Sequence, residues 1–395
     1  MKILVNAVSA KSGGAATYIQ NLGRELANTE TRFRFVFYVP SEKTRGVFGD
    51  NIAVVETDIG HRTAWRRFFW DQILLRRALT KERVDILLSS SDFGLFVSPC
   101  PQILMIRNPL FFSRPYLERI LPHKSFRFKR EFLYRRWLIC LSARAANVVI
   151  TASQSMLDDV RRFISIPPGK AVVNYFGVPL EKFNGKCGTA EKQEGTEIRL
   201  LQGGGLRLLY VSEYSDYKNL TTLLKAVPLL KDRGFNDFCL TTTAGPDQFP
   251  DVEISTREVD KALASDPRVS THVKFIGSVP YETIEELYQE SDVFIFPSLA
   301  ESFGHPLVEA MASGLPVIAS DIPIHREICG EAAVYFDALD PQDLVNKILT
   351  LSSDAKLREN LGKAGRTRAE TQFNWNDHVR RLVEIFEQVA QRARG

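Results

Sequence analysis

Short, uninterrupted apolar runs alternate with segments of helical periodicity along almost the whole chain, and no other feature limits its fold so strongly. In the first half the runs read KILVNA (2–7), RFVFYV (34–39), IAVVE (52–56), VDILLS (84–89), QILMI (102–106) and ANVVIT (146–151). A strand that is apolar on both faces belongs in a parallel sheet covered on both sides. Helical patterns fill the intervals, for example Ala16 to Ala27. The rhythm breaks at Asn184–Gly205, rich in Gly, Lys and Glu and poor in aromatics, as a surface linker would be. A second series follows: LRLLYVS (206–212), FCLTTTA (238–244), VKFIG (273–277), DVFIFP (292–297), LPVIAS (315–320) and AAVYF (332–336).

Two βαβ series predict an α/β protein with two doubly wound domains facing each other, their ligand cleft beyond the carboxyl ends of the strands. The expected division is a first domain over 1–183, a linker over 184–205 and a second domain over 206–375. A closing helix over 376–395 carries one apolar stripe, Val379, Leu382, Val383, Ile385, Phe386 and Val389, for packing back on the first domain. A length of 395 residues agrees with two domains at ~100–200 residues each.

The five cysteines, Cys100, Cys140, Cys187, Cys239 and Cys329, are scattered, with no CxxC pair, which argues against a disulfide framework or a zinc site and for a reducing compartment. Asn6 interrupts the first apolar run, which reads as a strand rather than a signal peptide, and no run of ~18 apolar residues offers a membrane span. The expected location is the cytoplasm.

The segment DVFIFPSLAESFGHPLVEAMASG (292–314) carries the chemistry. A buried strand ends at Pro297, a loop follows, and Pro306 suits the first turn of a helix whose left-handed cap would be Gly314. A helix N-terminus beside a strand's carboxyl end is an anion site, served by the backbone of Ser302, Phe303 and Gly304, with Gly304 allowing close approach to a phosphate. Glu301 and Glu309 flank it, and a carboxylate accepts well from sugar hydroxyls. Diols at either end of a diphosphate describe a nucleotide sugar. The same Glu-x7-Glu spacing at Glu282 and Glu290 lies in YETIEELYQE, which reads as a solvated helix face; context rather than spacing is informative.

The run ESFGHPLVEAMASGLPVIASD resembles the donor motif of the retaining, GT-B-fold glycosyltransferases of family 4. The likeness extends through FIGSVPYETIEELYQESDVFIFPS, GEAAVYFDALDPQDL and FNWNDHVRRLVEIF, and more weakly through YFGVPLEKF, TAS (151–153) and KSGGAATYIQNL. The resemblance implies that Glu301 contacts hydroxyls of the donor sugar, Glu309 holds the ribose diol, and the Phe303 and Gly304 amides face the diphosphate or sugar. It implies too that Lys218, in YSDYKNL, pairs with the diphosphate, and that Gly14, in the first strand–helix turn, approaches the phosphate or acceptor. No metal is implied. His305 and the loop after Asp321 are candidates for sugar selection. Two positions depart from the family pattern. Glu213 stands where a phosphate-binding arginine is common, and Arg107-Asn108 where a histidine is common; Arg107 is either the replacement positive charge or a structural ion-pair residue. The implied reaction moves a hexose, mannose among the candidates, with retention of configuration, onto a glycan or lipid-linked acceptor in surface polysaccharide assembly. Competing readings are a nucleotide-sugar epimerase and a non-catalytic partner subunit of the same fold.

Net charge is only +4, yet ten Lys/Arg face two acids between Arg107 and Arg144. In HRTAWRRFFWDQILLRRAL (61–79) and SRPYLERILPHKSFRFKREFLYRRWLICL (113–141), cations alternate with aromatics. The segments fit a core helix with a wet face, or a surface for an anionic bilayer at the inner face of the cell membrane. No nucleic-acid motif accompanies them, so nucleic acid is not expected as a partner.

Overall fold

The computed structural model describes residues 1–11, 13–29, 31–40, 52–183 and 205–393. The expected linker falls outside these residues except for its last, Gly205. Every apolar run above forms a strand. In the first sheet these are β1 (Lys2–Asn6), β2 (Arg34–Pro40), β3 (Ile52–Thr57), β4 (Ile86–Ser89), β5 (Gln102–Ile106) and β6 (Val148–Thr151), joined by an unforeseen edge strand, β7 (Ala171–Val173). In the second they are β8 (Leu206–Tyr210), β9 (Phe238–Thr242), β10 (Val273–Phe275), β11 (Val293–Phe296), β12 (Val317–Ser320) and β13 (Ala333–Phe336). All pairings are parallel, in the orders β3-β2-β1-β4-β5-β6-β7 and β10-β9-β8-β11-β12-β13. Each sheet is doubly wound. Strand order reverses between β1 and β4 in one and between β8 and β11 in the other. The central strands β1, β4, β5, β11 and β12 are buried almost along their whole length, as their unbroken apolar character requires.

Contacts divide the chain into two compact units: Met1–Phe112 with Phe126–Gly177 and Trp375–Gly395, and Ser113–Ser125 with Val178–Asn374. The helix Trp375–Arg392 belongs to the first unit through its buried Val379, Leu382, Ile385, Phe386 and Val389 and through His378. The His378 Nδ1–H donates to the Tyr175 carbonyl at 2.7 Å, which leaves Nε2 of the neutral ring to accept from the Tyr18 hydroxyl at 3.0 Å. Burial pulls its pKa down to about 4, so the ring is neutral at physiological pH.

Ser113–Ser125 belongs to the second unit for electrostatic reasons. The buried Lys124 ammonium lies 2.5 Å from Asp216 Oδ2 and also donates to the Glu253 carbonyl. Asp216 Oδ1 accepts from the Ser255 amide and hydroxyl at 2.6 Å each, and the Ser125 amide and hydroxyl donate to the Glu253 carboxylate. A carboxylate and an ammonium removed from water together need this many partners, since desolvation otherwise outweighs their attraction.

The helix His305–Ala312 is held in place by the helix Ala355–Gln372, which crosses its C-terminal end at two glycines. A Cβ on Gly362 would stand 2.1 Å from the Gly314 carbonyl oxygen, whereas one on Gly365 would meet the movable Met311 side chain at 3.1 Å. In an open helix Gly→Ala stabilises by ~1 kcal/mol. Here the backbone contact reverses the sign: Gly362→Ala is expected to destabilise by roughly 1–3 kcal/mol and Gly365→Ala to stay near neutral. Urea unfolding of the two variants measures both, and equal effects would show that the helices do not meet this closely.

Candidate active site

Because β8 and β11 are neighbours at the reversal of the second sheet, the loops that follow them lie side by side. After β8 the chain makes a 3₁₀ turn, Asp216–Lys218, then enters the helix Leu220–Asp232 through Asn219 in the left-handed conformation (φ 58°, ψ 41°). Asparagine tolerates that region better than most residues. The Asn219 amide donates to the Pro297 carbonyl at 3.0 Å and the Ala338 carbonyl at 2.7 Å, and the Leu299 amide donates to the Tyr217 carbonyl at 2.7 Å. The two loops are thereby stitched together.

The stitching brings Lys218 to Glu301. Nζ and Oε1 are 2.6 Å apart, with the side chains 14% and 10% exposed. The ammonium also lies over the Tyr217 and Phe296 rings, at 5.2 and 5.5 Å from their centroids. Burial alone would lower the Lys218 pKa; the Glu301 carboxylate, with Tyr217 and Tyr210, more than offsets that and leaves it above the ordinary lysine value. Lys218 is therefore a fixed cation.

Glu301 leads through Ser302 and Phe303 to Gly304, which takes φ 82° as N-cap of the helix His305–Ala312. A side chain there would be strained by the backbone angle and would press on Leu307. His305 opens the helix and Pro306 follows. The Phe303 ring is fully buried, edge-on to His305 and Phe373, so its side chain is structural. The helix ends as its sequence requires, with Gly314 left-handed at φ 75°.

Glu309, one turn into the helix, is buried, and Oε2 accepts from the Tyr288 hydroxyl at 2.8 Å. Tyr281 is its second partner. Burial pushes the Glu309 carboxyl up to about 7, against the pull of the two tyrosines and of Lys182. Lys182 itself donates to the Tyr281 carbonyl, lies 4.2 Å from the Tyr281 ring centroid and pairs with Glu285 at 3.4 Å. YETIEELYQE is thus more than a solvated face. Glu282 is exposed, but Tyr288 points inward and orients Glu309. The tyrosines are seven residues apart, two helical turns on one side, and that spacing was the available signal.

His325, just beyond β12, also escaped sequence reasoning. It is fully buried, its Nδ1 is 2.9 Å from the Ser320 carbonyl oxygen, and burial lowers its pKa to about 3, with Lys218 acting in the same direction.

Gly14 and Arg107 belong to the first unit. The helix Gly13–Asn28 starts one residue before Gly14, so Gly14 sits in the first helical turn rather than in the turn before it. Arg107 Nη2 donates to the Gly14 carbonyl at 3.3 Å. Its guanidinium lies 4.4 Å from the Tyr18 ring centroid and 5.1 Å from that of Phe176, while its backbone amide and that of Asn108 donate to Asp92 Oδ1. Glu213 is exposed beside the Lys218 loop.

Two doubly wound parallel sheets in succession define the GT-B class of fold. The same architecture appears in the Anabaena protein Alr3699/HepE crystallised with UDP-glucose, at 16% identity and TM-score 0.71 over 98% of this chain and 100% of that one. The sequence profile described as "Glycosyl transferases group 1" matches residues 192–368, and that described as "Glycosyltransferase Family 4" matches 12–182. The chain belongs to this family of glycosyltransferases. Among its relatives are the amylovoran biosynthesis glycosyltransferase AmsK of Erwinia amylovora, 32% identical over 57% of this chain and 52% of AmsK, and the O-antigen chain mannosyltransferase RfbU of Salmonella typhimurium, 26% identical over 53% of this chain and 52% of RfbU. The chain spans about half the length of these relatives.

The state of Glu309 makes folding pH-dependent. Between the ordinary glutamate value of 4.5 and about 7 the folded protein keeps a proton that the unfolded chain has released. Stability therefore falls as pH rises through that window. Glu309→Gln removes the effect and should gain on the wild type by up to ~3 kcal/mol between pH ~5 and ~8, at about 1.36 kcal/mol per pKa unit. Urea unfolding at both pH values tests this. A wild-type-to-variant difference that is the same at each would mean that the carboxyl ionises normally.

Proposed function

We propose that this protein transfers a hexosyl group, mannose being the leading candidate, from a nucleoside diphosphate sugar to a hydroxyl of a glycan or lipid-linked acceptor during surface polysaccharide assembly. The observation that carries the reading is the buried Lys218–Glu301 pair at the N-terminal end of the helix His305–Ala312. Lys218 and the helix dipole receive the diphosphate, Glu301 accepts hydroxyls of the transferred sugar, and Glu309 takes the ribose diol. The names of AmsK and RfbU, and the UDP-glucose of the HepE complex, support the substrate class.

In the reaction the bond from the anomeric carbon to the diphosphate oxygen breaks and one to the acceptor oxygen forms on the same face. The acceptor proton passes to the departing diphosphate, so the products are a nucleoside diphosphate and a glycoside of retained configuration. Preorganised positive charge at the leaving group supplies the main stabilisation. Lys218 and the helix N-terminus provide it, and we infer no metal requirement.

A thermal-shift screen of UDP-, GDP-, ADP- and dTDP-sugars tests donor binding. One nucleotide should stabilise the wild type by ~2.7 kcal/mol at a hundredfold excess over its dissociation constant. Lys218→Ala should lose about 10²–10³ in turnover. Product NMR should show the donor's anomeric configuration, with turnover unaffected by EDTA. Free nucleotide without a new glycoside would favour an epimerase, and donor binding without turnover a partner subunit.

The first unit also supports membrane association. Among the described residues no helix is long and apolar enough to cross a membrane. Trp65, Phe69 and Trp137 are nevertheless more than half exposed, and Trp65 stacks on Phe69 and packs on Tyr134, with ring centroids 6.3 and 5.0 Å apart. Exposed Arg66, Arg127 and Arg130 lie on the same helices, and Arg76, Arg77 and Lys81 line a shallow depression with Ile73. Other aromatics of these segments, Phe111 and Phe132, are core. Exposed aromatics among cations suit an anionic bilayer surface. Sedimentation with phosphatidylglycerol vesicles at low salt should capture the wild type and lose roughly tenfold in affinity for Trp65→Ser/Trp137→Ser; a wild type that stays in the supernatant refutes the association.

A further inference from the structure

Ser113–Ser125 contributes no group to the donor contacts proposed above, yet it reaches the turn that carries Lys218. Its chain neighbours, Phe112 and Phe126, belong to the first unit, while the segment itself belongs to the second. It begins with a π-helical turn, Tyr116–Ile120, and tightens into a 3₁₀ turn, Leu121–His123. Pro122 has no N–H to donate back along the helix. The run ends with Lys124 extended (φ −81°, ψ 156°), its amide closing the turn on the Leu121 carbonyl at 3.1 Å.

The turn Asp216–Lys218 is held at both ends. Asn219 fixes its far end through the Pro297 and Ala338 carbonyls. Asp216 fixes the near end. Its Oδ1 accepts from the Ser255 amide and hydroxyl and from the Thr256 amide, and its Oδ2 accepts from Lys124. The same segment also meets the middle of the turn. The buried Tyr116 ring stands edge-on to the Tyr217 ring at 6.4 Å, and the Lys218 ammonium lies over that Tyr217 ring. Residues 216 and 217 are thus engaged by the segment, and Lys218 is left to Glu301.

Stability alone does not call for an ion pair here, because apolar residues of similar volume in place of a buried pair are often neutral or stabilising. The charges around the turn do call for one. Lys218 balances Glu301, and Lys124 balances Asp216. Glu213, three residues before Asp216, already adds an exposed negative charge. A 3₁₀ turn rises only about 2 Å per residue. Without Lys124, Asp216 would therefore place a second uncancelled carboxylate close to Lys218, where it would repel a diphosphate and compete for the ammonium.

We propose that Lys124 is a positioning residue of the donor site: by neutralising Asp216 it keeps the Lys218 ammonium available to the diphosphate. Lys124 does not touch the donor and acts through Asp216. The inference rests on the reading of Lys218 as the cation that receives the diphosphate.

The full chain is titrated calorimetrically with UDP, GDP, ADP and dTDP, each beside its monophosphate. The ratio of diphosphate to monophosphate affinity reports on charge at the second phosphate and cancels effects on the base and ribose. Lys218→Ala should collapse this ratio for the nucleotide that binds. Lys124→Met keeps most of the side-chain length and loses the charge. It should cut the ratio by about 10–100-fold, the effect of one unit charge roughly 6–12 Å away at an effective dielectric of about 20, with monophosphate affinity changed by less than about threefold. Lys124→Arg should hold the ratio. Lys124→Met/Asp216→Asn removes both charges and keeps an oxygen for Ser255. It should restore the ratio to within about threefold, since no buried charge is left unpaired. A lysine with a folding role only would lower both affinities together with the melting temperature, and that result overturns the proposal. So does a Lys124→Met ratio equal to that of the wild type, or a double variant as weak as the single one. A ratio that depends on Lys218 but not on Lys124 overturns this inference alone. A wild type that binds no diphosphate better than its monophosphate, with Lys218→Ala unchanged, overturns the donor reading and this inference with it.

Discussion

One side-chain amide determines where the chemistry of the second unit is assembled. Asn219 sits at the junction between the Lys218 turn and the following helix, and its Nδ2 donates to two buried carbonyls, those of Pro297 after β11 and Ala338 after β13. Its Oδ1 accepts from the Thr222 hydroxyl, so the amide is satisfied on both sides. Three loops at the carboxyl edge of one sheet thus share a single anchor. Lys218 is its immediate neighbour in sequence, and Glu301 follows Pro297 by four residues. Their 2.6 Å contact is a consequence of the anchor rather than an independent event. Hydrogen bonds of this kind contribute about 0.5–1.5 kcal/mol each, but the greater cost lies in leaving such carbonyls unsatisfied.

Around that anchor the protein buries charge only in company. Lys218 is matched by Glu301, Lys124 by Asp216, and Glu309 is held by two tyrosines and faces Lys182 across them. An unpaired buried ion would destabilise the fold by several kcal/mol. The pairing has a chemical side as well. An ammonium already ionised and fixed on a rigid turn does not have to reorganise when negative charge develops beside it, the condition under which electrostatic catalysis is most effective. Glu309 has the opposite setting. Its environment disfavours the charged form.

The fold was legible because parallel strands buried on both faces carry one kind of residue without interruption. β7 was not, since Ala171–Val173 is a half-buried edge strand whose apolar run is only three residues long. The loop after β11 was legible because its residues are consecutive: strand, loop, glycine, proline and helix are one sentence of sequence. The groups that act on it from a distance were not. Tyr288 meets Glu309 across 21 residues. Spacing within a segment can put two tyrosines on one side, but it does not name the distant residue they meet. The helix start at Gly13 was placed late because no acidic residue marks its first turn. Arg107 and Gly14 were singled out separately, and only the structure joins them through one hydrogen bond.

The placement of Ser113–Ser125 bears on how such a protein can be recombined. Exchanging halves of the chain anywhere between Phe183 and Gly205 presumes that each half carries its own core. In this chain a thirteen-residue excursion from the first half supplies the Lys124 ammonium that neutralises Asp216, two residues before Lys218. A second half grafted onto a foreign first half would retain every residue from Glu301 to Gly314 and yet bury Asp216 without its counter-ion, two residues before Lys218. Compatible partners are therefore those whose first half brings a cation at the position of Lys124, and the natural module for exchange is discontinuous in sequence.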